Sequence, residues 1–240
     1  KGGTRIHSDM SMDELRMLAR TQTLKNAAAA IGTGGAKSGM KDDPNSEGFE
    51  QRYRRFARLV APILHENGGP WGGFGYDIGA HPDHCLWCCD ELDSTRCFTG
   101  KPVHMGGTDY DVEGIAGLGV AVAARTMLEE TGRSPSSATI AVQGVGAMGA
   151  AVCRYATEYG MTVRYIADPR LGGCWRIESE FDGVLADAIV TMDFEAARNA
   201  LEAGPHVCTE LDDVLVQSVD VLFPCAVQYV ITADNVDSIA

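Results

Sequence analysis

The chain has 240 residues, 45% of them hydrophobic and 22% charged, with a formal net charge of −13. This is the composition of a soluble globular protein, and its acidity argues against nucleic-acid binding. No apolar run approaches the ~20 residues of a membrane helix and no signal-peptide pattern opens the chain, so a cytoplasmic location is expected.

Ser11-Met12-Asp13-Glu14 has the form of a capping box and predicts a helix from about Met12 to Ala30. Next comes Gly32–Gly39, four glycines around Lys37. Glycine lets a backbone come close to a ligand. A lysine deprived of water there has its pKa lowered towards that of a general base. Taken alone, the stretch also reads as a helix C-cap and a turn. Phe49–Glu66 has helical periodicity through Phe56, Leu59, Ile63 and Leu64. Tyr76–Ile78 is expected as a short strand, His84–Leu92 as a helix and Glu113–Thr131 as a long helix. The domain boundary is placed near the start of that helix, giving segments 1–115 and 116–240. Ala138–Gln143 then reads as a strand, Gly144–Gly149 as a turn, Ala150–Tyr159 as a helix, and Thr162–Ala167 as a second strand ending at Asp168. That order is a βαβ unit of parallel sheet. Ala188–Thr191, His206–Cys208 and Val219–Phe223 are expected as further short strands.

Gly144-Val145-Gly146-Ala147-Met148-Gly149 is a GxGxxG motif between a strand and a helix. Its first glycine permits the tight turn, its second lets backbone approach a pyrophosphate, and its third allows close helix–strand packing. The motif opens a helix whose amide end would face the phosphates, with Ala147 and Met148 inside the turn that leads into it. Asp168 closes the next strand, at the ~20-residue distance of a ribose-binding acid. A carboxylate there favours NAD, while Arg170 offers NADP a partner for its 2′-phosphate, so NAD is preferred and NADP possible.

With both glycine elements in place, the chain resembles the glutamate/leucine/phenylalanine/valine dehydrogenase family nearly end to end. The resemblance rests on Lys1-Gly2-Gly3-Thr4-Arg5-Ile6-His7, Leu24-Lys25-Asn26-Ala27-Ala28, and Gly34-Gly35-Ala36-Lys37-Ser38-Gly39. It continues through Asp77-Ile78-Gly79, Thr99-Gly100-Lys101-Pro102, Gly117-Leu118-Gly119-Val120, the GxGxxG motif, and Phe223-Pro224-Cys225-Ala226. It implies an α/β fold, with an N-terminal substrate domain and a Rossmann-type dinucleotide-binding domain, in a homo-oligomer. It implies an NAD(P)-dependent deamination of an L-amino acid to its 2-oxo acid and ammonia. Lys37 matches the family's catalytic lysine and Asp77 its proton-shuttling aspartate. Lys25 matches the lysine that holds the substrate α-carboxylate, with Gly35 beside the substrate. Lys1 matches the lysine that meets the distal carboxylate in the glutamate enzymes, which tilts the substrate towards glutamate over a hydrophobic amino acid. The cofactor set implied is Gly144, Gly146, Ala147, Met148, Gly149, Asp168, Pro169, Arg170, Cys225 and Ala226.

Two positions depart from the family pattern. Ala116 stands where a threonine near the nicotinamide is usual, and Tyr229 where an asparagine that contacts the cofactor ribose is usual. Each removes a polar contact and motivates a rival reading, a dinucleotide-binding homologue without turnover. The family chain also normally continues past the position of Ala240 and returns to the substrate domain. His81, His84, Cys85, Cys88 and Cys89 have ligand chemistry at short spacing, but four ligands must converge to hold zinc and no metal is expected. The eight cysteines lack regular spacing and are expected as reduced core thiols.

Overall fold

The computed structural model describes residues 2–110 and 112–239. The chain divides into two compact units, Lys1–Asp109 and Tyr110–Ala240. No helix among the described residues is long and apolar enough to cross a membrane.

In the first unit β1 (Thr4–Ile6) runs parallel to β2 (Ser38–Met40), and α1 (Met12–Ala28) is the crossover between them. On its other side β1 hydrogen-bonds to residues 75–78. The Thr4 amide donates to Gly75 O at 2.8 Å and the Ile6 amide to Ile78 O at 2.9 Å. The expected strand Tyr76–Ile78 therefore pairs like a strand without becoming a regular one. Phe74 continues the array, its amide donating to Cys97 O at 2.7 Å. Helices α2 (Phe49–Val60) and α3 (Pro82–Glu91) build the core, with Phe49, Tyr53 and Ala57 buried alongside Phe74, Cys85, Cys88, Cys97 and Phe98.

Helix α2 is shorter than the expected Phe49–Glu66. Pro62 lacks an amide hydrogen and its ring crowds the carbonyl one turn back, so the chain tightens into 3₁₀ turns at Ala61–Ile63 and His65–Asn67. The buried stripe is Phe49-Tyr53-Ala57, and Leu59 and Ile63, expected within it, are exposed.

The second unit begins with α4 (Ile115–Glu130), then β3 (Thr139–Gln143), α5 (Ala147–Glu158) and β4 (Thr162–Asp168). It continues with β5 (Gly173–Arg176), α6 (Gly183–Val190), α7 (Phe194–Ala203), β6 (Val207–Thr209) and β7 (Val221–Pro224). The sheet order is β6-β5-β4-β3-β7. Strands β3, β4 and β7 are mutually parallel, and β5 runs antiparallel to both β4 and β6. This is a mixed α/β sheet of Rossmann type around a β3-α5-β4 unit. One face buries Ile140, Val142, Val152, Cys153 and Ile166, and Ala141, Ala167, Cys174, Val214 and Leu215 form a second cluster.

The expected strand Ala188–Thr191 is wrong, because Ala188–Val190 is the last turn of α6. A three-residue apolar run has no period of its own, and here it is the buried side of a helix in which Leu185, Ala188 and Ile189 face the core.

Candidate active site

The first unit concentrates four charged side chains around β1. Arg5, the middle residue of that strand, is 6% exposed. Its Nε donates to Asp77 Oδ2 at 2.9 Å and its Nη2 reaches Asp77 Oδ1 at 3.4 Å. Lys37 Nζ meets the same Oδ2 at 2.9 Å, with its side chain 10% exposed. Arg5 Nη1 donates to Glu14 Oε1 at 2.9 Å, and His7 Nε2 lies 3.2 Å from that carboxylate. Burial alone would raise the Asp77 carboxyl, but the hydrogen bonds and charges of Arg5 and Lys37 outweigh it and hold it below the usual carboxylate range. Glu14 is held low chiefly by its hydrogen bond from Arg5, against burial.

Backbone geometry explains why these groups meet. Lys37 directly precedes β2, and Asp77 lies between the two residues whose carbonyls accept from β1. Arg5 thus stands on the central strand, with the Lys37 segment on one side and the Asp77 segment on the other. A side chain at Gly3 would overlap the Tyr76 carbonyl and crowd the Asp77 Cβ, so only glycine lets these segments come together. Gly35 is pressed against α1 in the same way, where a Cβ would overlap the Thr23 amide. Asn26, buried in the last turns of α1, ties down the loop by donating to Thr33 O at 3.2 Å and Gly34 O at 3.1 Å.

The other expected substrate residues are placed differently. Lys25 is in the last turn of α1, exposed and without an ion pair among the described residues. Lys1 lies outside the described residues.

In the second unit the carboxyl ends of β3, β4 and β7 lie on one edge. The ladder runs past the strands themselves, with the Gly144 amide donating to Ala167 O at 2.6 Å and the Cys225 amide to Gln143 O at 2.8 Å. Gly144 has φ +80°, a left-handed conformation that glycine adopts readily, and a Cβ on it would sit 2.8 Å from that of Ala226. A Cβ on Gly149 would overlap the Gly144 carbonyl oxygen. Gly146 caps α5 without a side-chain cap, and Ala147 and Met148 are exposed.

Asp168 is 3% exposed and accepts four hydrogen bonds. Oδ1 accepts from the Arg170 amide at 2.9 Å and its Nε at 2.8 Å, and Oδ2 from Arg170 Nη2 at 2.7 Å and the Val145 amide at 3.0 Å. Burial pushes this carboxyl up, and those donors more than reverse it, leaving it below its ordinary range. The Arg170 guanidinium lies 3.7 Å above the Phe194 ring. A recess of about 400 Å³ opens beside Pro169, walled also by Gly173, Thr209 and Leu211 among others.

These residues fit a dinucleotide. The start of α5 carries backbone amides free of a capping side chain, and a Cβ on Gly146 would meet only Arg170 Nη2, at 3.5 Å. Uncapped amides at a helix start are what a pyrophosphate needs. Pro169, Arg170, Cys225 and Ala226 all follow strand ends on this edge.

The His81–Cys89 constellation is an element of the fold. His81 Nδ1 accepts from the Asp83 amide at 3.3 Å and His84 Nδ1 from the His81 amide at 3.1 Å, closing a capping box on α3. Cys85, Cys88, Cys89 and Cys97 are buried, with Cys88 and Cys97 sulfurs 3.6 Å apart. No group of three or more potential ligands is arranged to hold a metal among the described residues.

Sequence reasoning missed Arg5, Glu14 and Asn26 as contributors to the site. Glu14 was accounted for as a capping-box member, and Ser11 Oγ does accept from the Glu14 amide at 3.1 Å, but the carboxylate also reaches Arg5. The one available signal was a lone arginine between Thr4 and Ile6 in a segment that must be buried to form β1.

A model of the glutamate/leucine/phenylalanine/valine dehydrogenase family matches residues 106–240, and one of the Glu/Leu/Phe/Val dehydrogenase dimerisation domain matches residues 1–94. The chain is 31% identical over 250 residues to a glutamate dehydrogenase of Thermotoga maritima, covering 100% of this chain and 58% of the relative. It is 30% identical over 252 residues to an NADP(+)-dependent glutamate dehydrogenase of Pyrobaculum calidifontis, covering 98% and 57%. It is also 30% identical over 246 residues to NAD-specific glutamate dehydrogenase A of Halobacterium salinarum, covering 100% and 55%. The fold is that of the hetero-hexameric glutamate dehydrogenase of Thermus thermophilus in its Leu-bound form. The TM-score is 0.79 at 24% identity, over 99% of this chain and 56% of that one. The chain therefore spans a little over half the length of these relatives.

Proposed function

Because the chain belongs to the glutamate/leucine/phenylalanine/valine dehydrogenase family, we propose that its protein catalyses NAD(P)-dependent oxidative deamination of an L-amino acid, glutamate first among them. The observation that carries this reading is the enclosed Lys37–Asp77 pair, 2.9 Å apart. In this reading the first unit is the substrate domain and the second the cofactor domain. The cofactor, when bound, accepts the hydride leaving the substrate Cα.

The chain's own residues then serve the carbon and nitrogen left behind. Hydride loss leaves an iminium that water must attack. Lys37 activates that water and stabilises the oxyanion that forms. Asp77 exchanges protons with the departing ammonia through Oδ1, since Oδ2 already accepts from both Lys37 and Arg5 at 2.9 Å while, among the described residues, Oδ1 has only the longer contact to Arg5. Lys25 supplies an exposed positive charge for the substrate α-carboxylate, and Lys1 the charge for the distal carboxylate of glutamate. Gly35 lines the substrate side of the loop.

The Gly144–Gly149 turn and the first amides of α5 hold the pyrophosphate, with Ala147 and Met148 against it and Pro169, Cys225 and Ala226 flanking it. Asp168 is the acid at the end of β4 that favours NAD, its charge met here by Arg170 at 2.7 Å. Arg170 beside it leaves NADP possible, in keeping with relatives named for each cofactor. A homo-oligomer in the cytoplasm completes the reading.

One observation favours a rival, a dinucleotide-binding homologue without turnover. Tyr229 is 72% exposed with φ +64°, a conformation asparagine tolerates better than tyrosine. A spectrophotometric screen of L-glutamate, L-leucine, L-valine and L-phenylalanine with both cofactors, on the intact protein, decides. We expect glutamate-dependent reduction. Cofactor binding with no reduction by any of the four supports the rival.

A further inference from the structure

Buried ion pairs are poor sources of stability, because desolvation offsets most of their attraction. Four charged side chains enclosed around one three-residue strand therefore call for another reason. Arg5 and Glu14 do not share the reactive position of Lys37 and Asp77, yet they are as deeply set, with side chains 7% and 12% exposed.

Resting on the reading of Lys37 and Asp77 above, we propose that Arg5 and Glu14 are positioning residues: Glu14 anchors the Arg5 fork, and the fork fixes the Asp77 carboxylate during the proton exchange. The geometry is specific to an arginine. Its Nε and Nη2 straddle the two Asp77 oxygens while Nη1 is committed to Glu14 at 2.9 Å. A lysine has one ammonium centre and cannot bridge both carboxylates in this way. The anchor is rigid because Glu14 is in the first turn of α1, whose start is capped by Ser11. A carboxylate near a helix start is also favoured by the positive end of the dipole.

The arrangement has a functional logic. When Lys37 turns to water or substrate, Asp77 loses one of its two cations. Arg5 stays, keeping Asp77 ionised and its Oδ1 aimed where it was. Glu14 in turn keeps Arg5 from following the substrate carboxylate, which would otherwise compete for it. Among the described residues, the charged groups facing Asp77 are Arg5 from β1 and Lys37 from the loop before β2. Glu14 from α1 and His7 after β1 act on it through Arg5.

Arg5→Lys and Glu14→Gln test this in the intact protein. In Arg5→Lys, kcat is expected to fall by at least about tenfold with KM for the amino acid changed less than about threefold. The acid limb of the kcat–pH profile should move to higher pH, as Asp77 loses part of its cationic support. Glu14→Gln should lower kcat by less and move the acid limb the other way, since it removes an anion that competes with Asp77 for Arg5. A carboxyl ¹³C titration of Asp77 reads the same linkage without turnover. Asp77 should titrate below the ordinary range in the wild type, higher in Arg5→Lys and no higher than wild type in Glu14→Gln. Unmoved acid limbs, or an Asp77 titration identical in all three proteins, overturn the proposal. If the wild type shows no turnover with any amino acid, the dehydrogenase reading fails, and the titration alone still decides whether Arg5 and Glu14 set the state of Asp77.

Discussion

His84 gives the first unit a pH-dependent stability that can be worked out from its surroundings. The ring is 2% exposed. It lies between Tyr53, Trp87 and Phe49, at centroid distances of 4.8, 5.1 and 5.3 Å. Its Nδ1 accepts from the His81 amide, a bond that imidazolium cannot accept. Burial, helped by the neighbouring His81, pulls its pKa from 6.5 down to about 4. Above pH 6.5 the ring is neutral in folded and unfolded chains alike. Between 6.5 and about 4 the unfolded chain takes up a proton that the folded chain refuses, so stability falls as pH falls. The full loss is about 3 kcal/mol, of which about 2 kcal/mol is lost by pH 5. The assay is urea unfolding at pH 7 and pH 5, followed by tryptophan fluorescence in a Trp175→Phe background so that Trp71 and Trp87 report the first unit. His84→Asn, which keeps a side-chain acceptor but cannot titrate, is the control for every other acid-sensitive group. The wild type should lose about 2 kcal/mol more than the variant between the two pH values. Equal losses would refute the reasoning.

Three further perturbations probe the site. Gly149→Ala places a methyl group on the Gly144 carbonyl. It should destabilise the second unit by about 1–3 kcal/mol and abolish cofactor binding measured by calorimetry. Arg170→Ala should raise the Kd for NADPH by about tenfold or more while leaving that for NADH within about threefold, and equal losses for both would deny Arg170 a role at the 2′ position. Asn26→Ala removes the donors to Thr33 O and Gly34 O. It should cost about 1–2 kcal/mol and lower kcat, and unchanged hydrogen exchange across residues 32–37 would show that the loop does not depend on it.

The parts of the fold that were legible in the sequence are those written in local chemistry. The strand–glycine turn–helix of Thr139–Glu158 is set by φ at Gly144 and by close approach at Gly149, which only particular residues satisfy. The α1 start was legible because Ser11 caps it with its own side chain. By contrast β1 and β2 are three residues each, too short to show a period of two, and β1 meets residues 76–77 because Gly3 lets them approach. Strand β5 was equally invisible, and Ala188–Val190 looked like a strand because a short apolar run does not reveal its period. Arg5 shows the same limit at the site. Nothing local marks it as a partner of Asp77, 72 residues away, and the pairing follows only once β1 is placed between Lys37 and residues 75–78. Lys37 and Asp77 are assigned through the ordered resemblance along the chain. Lys25, assigned the same way, stands exposed, where its substrate role depends on a ligand to meet it.

The account turns on Lys37 acting with Asp77 in amino-acid oxidation. The direct test is the initial rate of NADH or NADPH formation from L-glutamate by the intact protein, wild type against Lys37→Ala, with cofactor affinity measured in both. The account predicts glutamate-dependent reduction in the wild type and a loss of at least about a hundredfold in kcat in the variant, with cofactor Kd unchanged. A variant that turns over at the wild-type rate would contradict it.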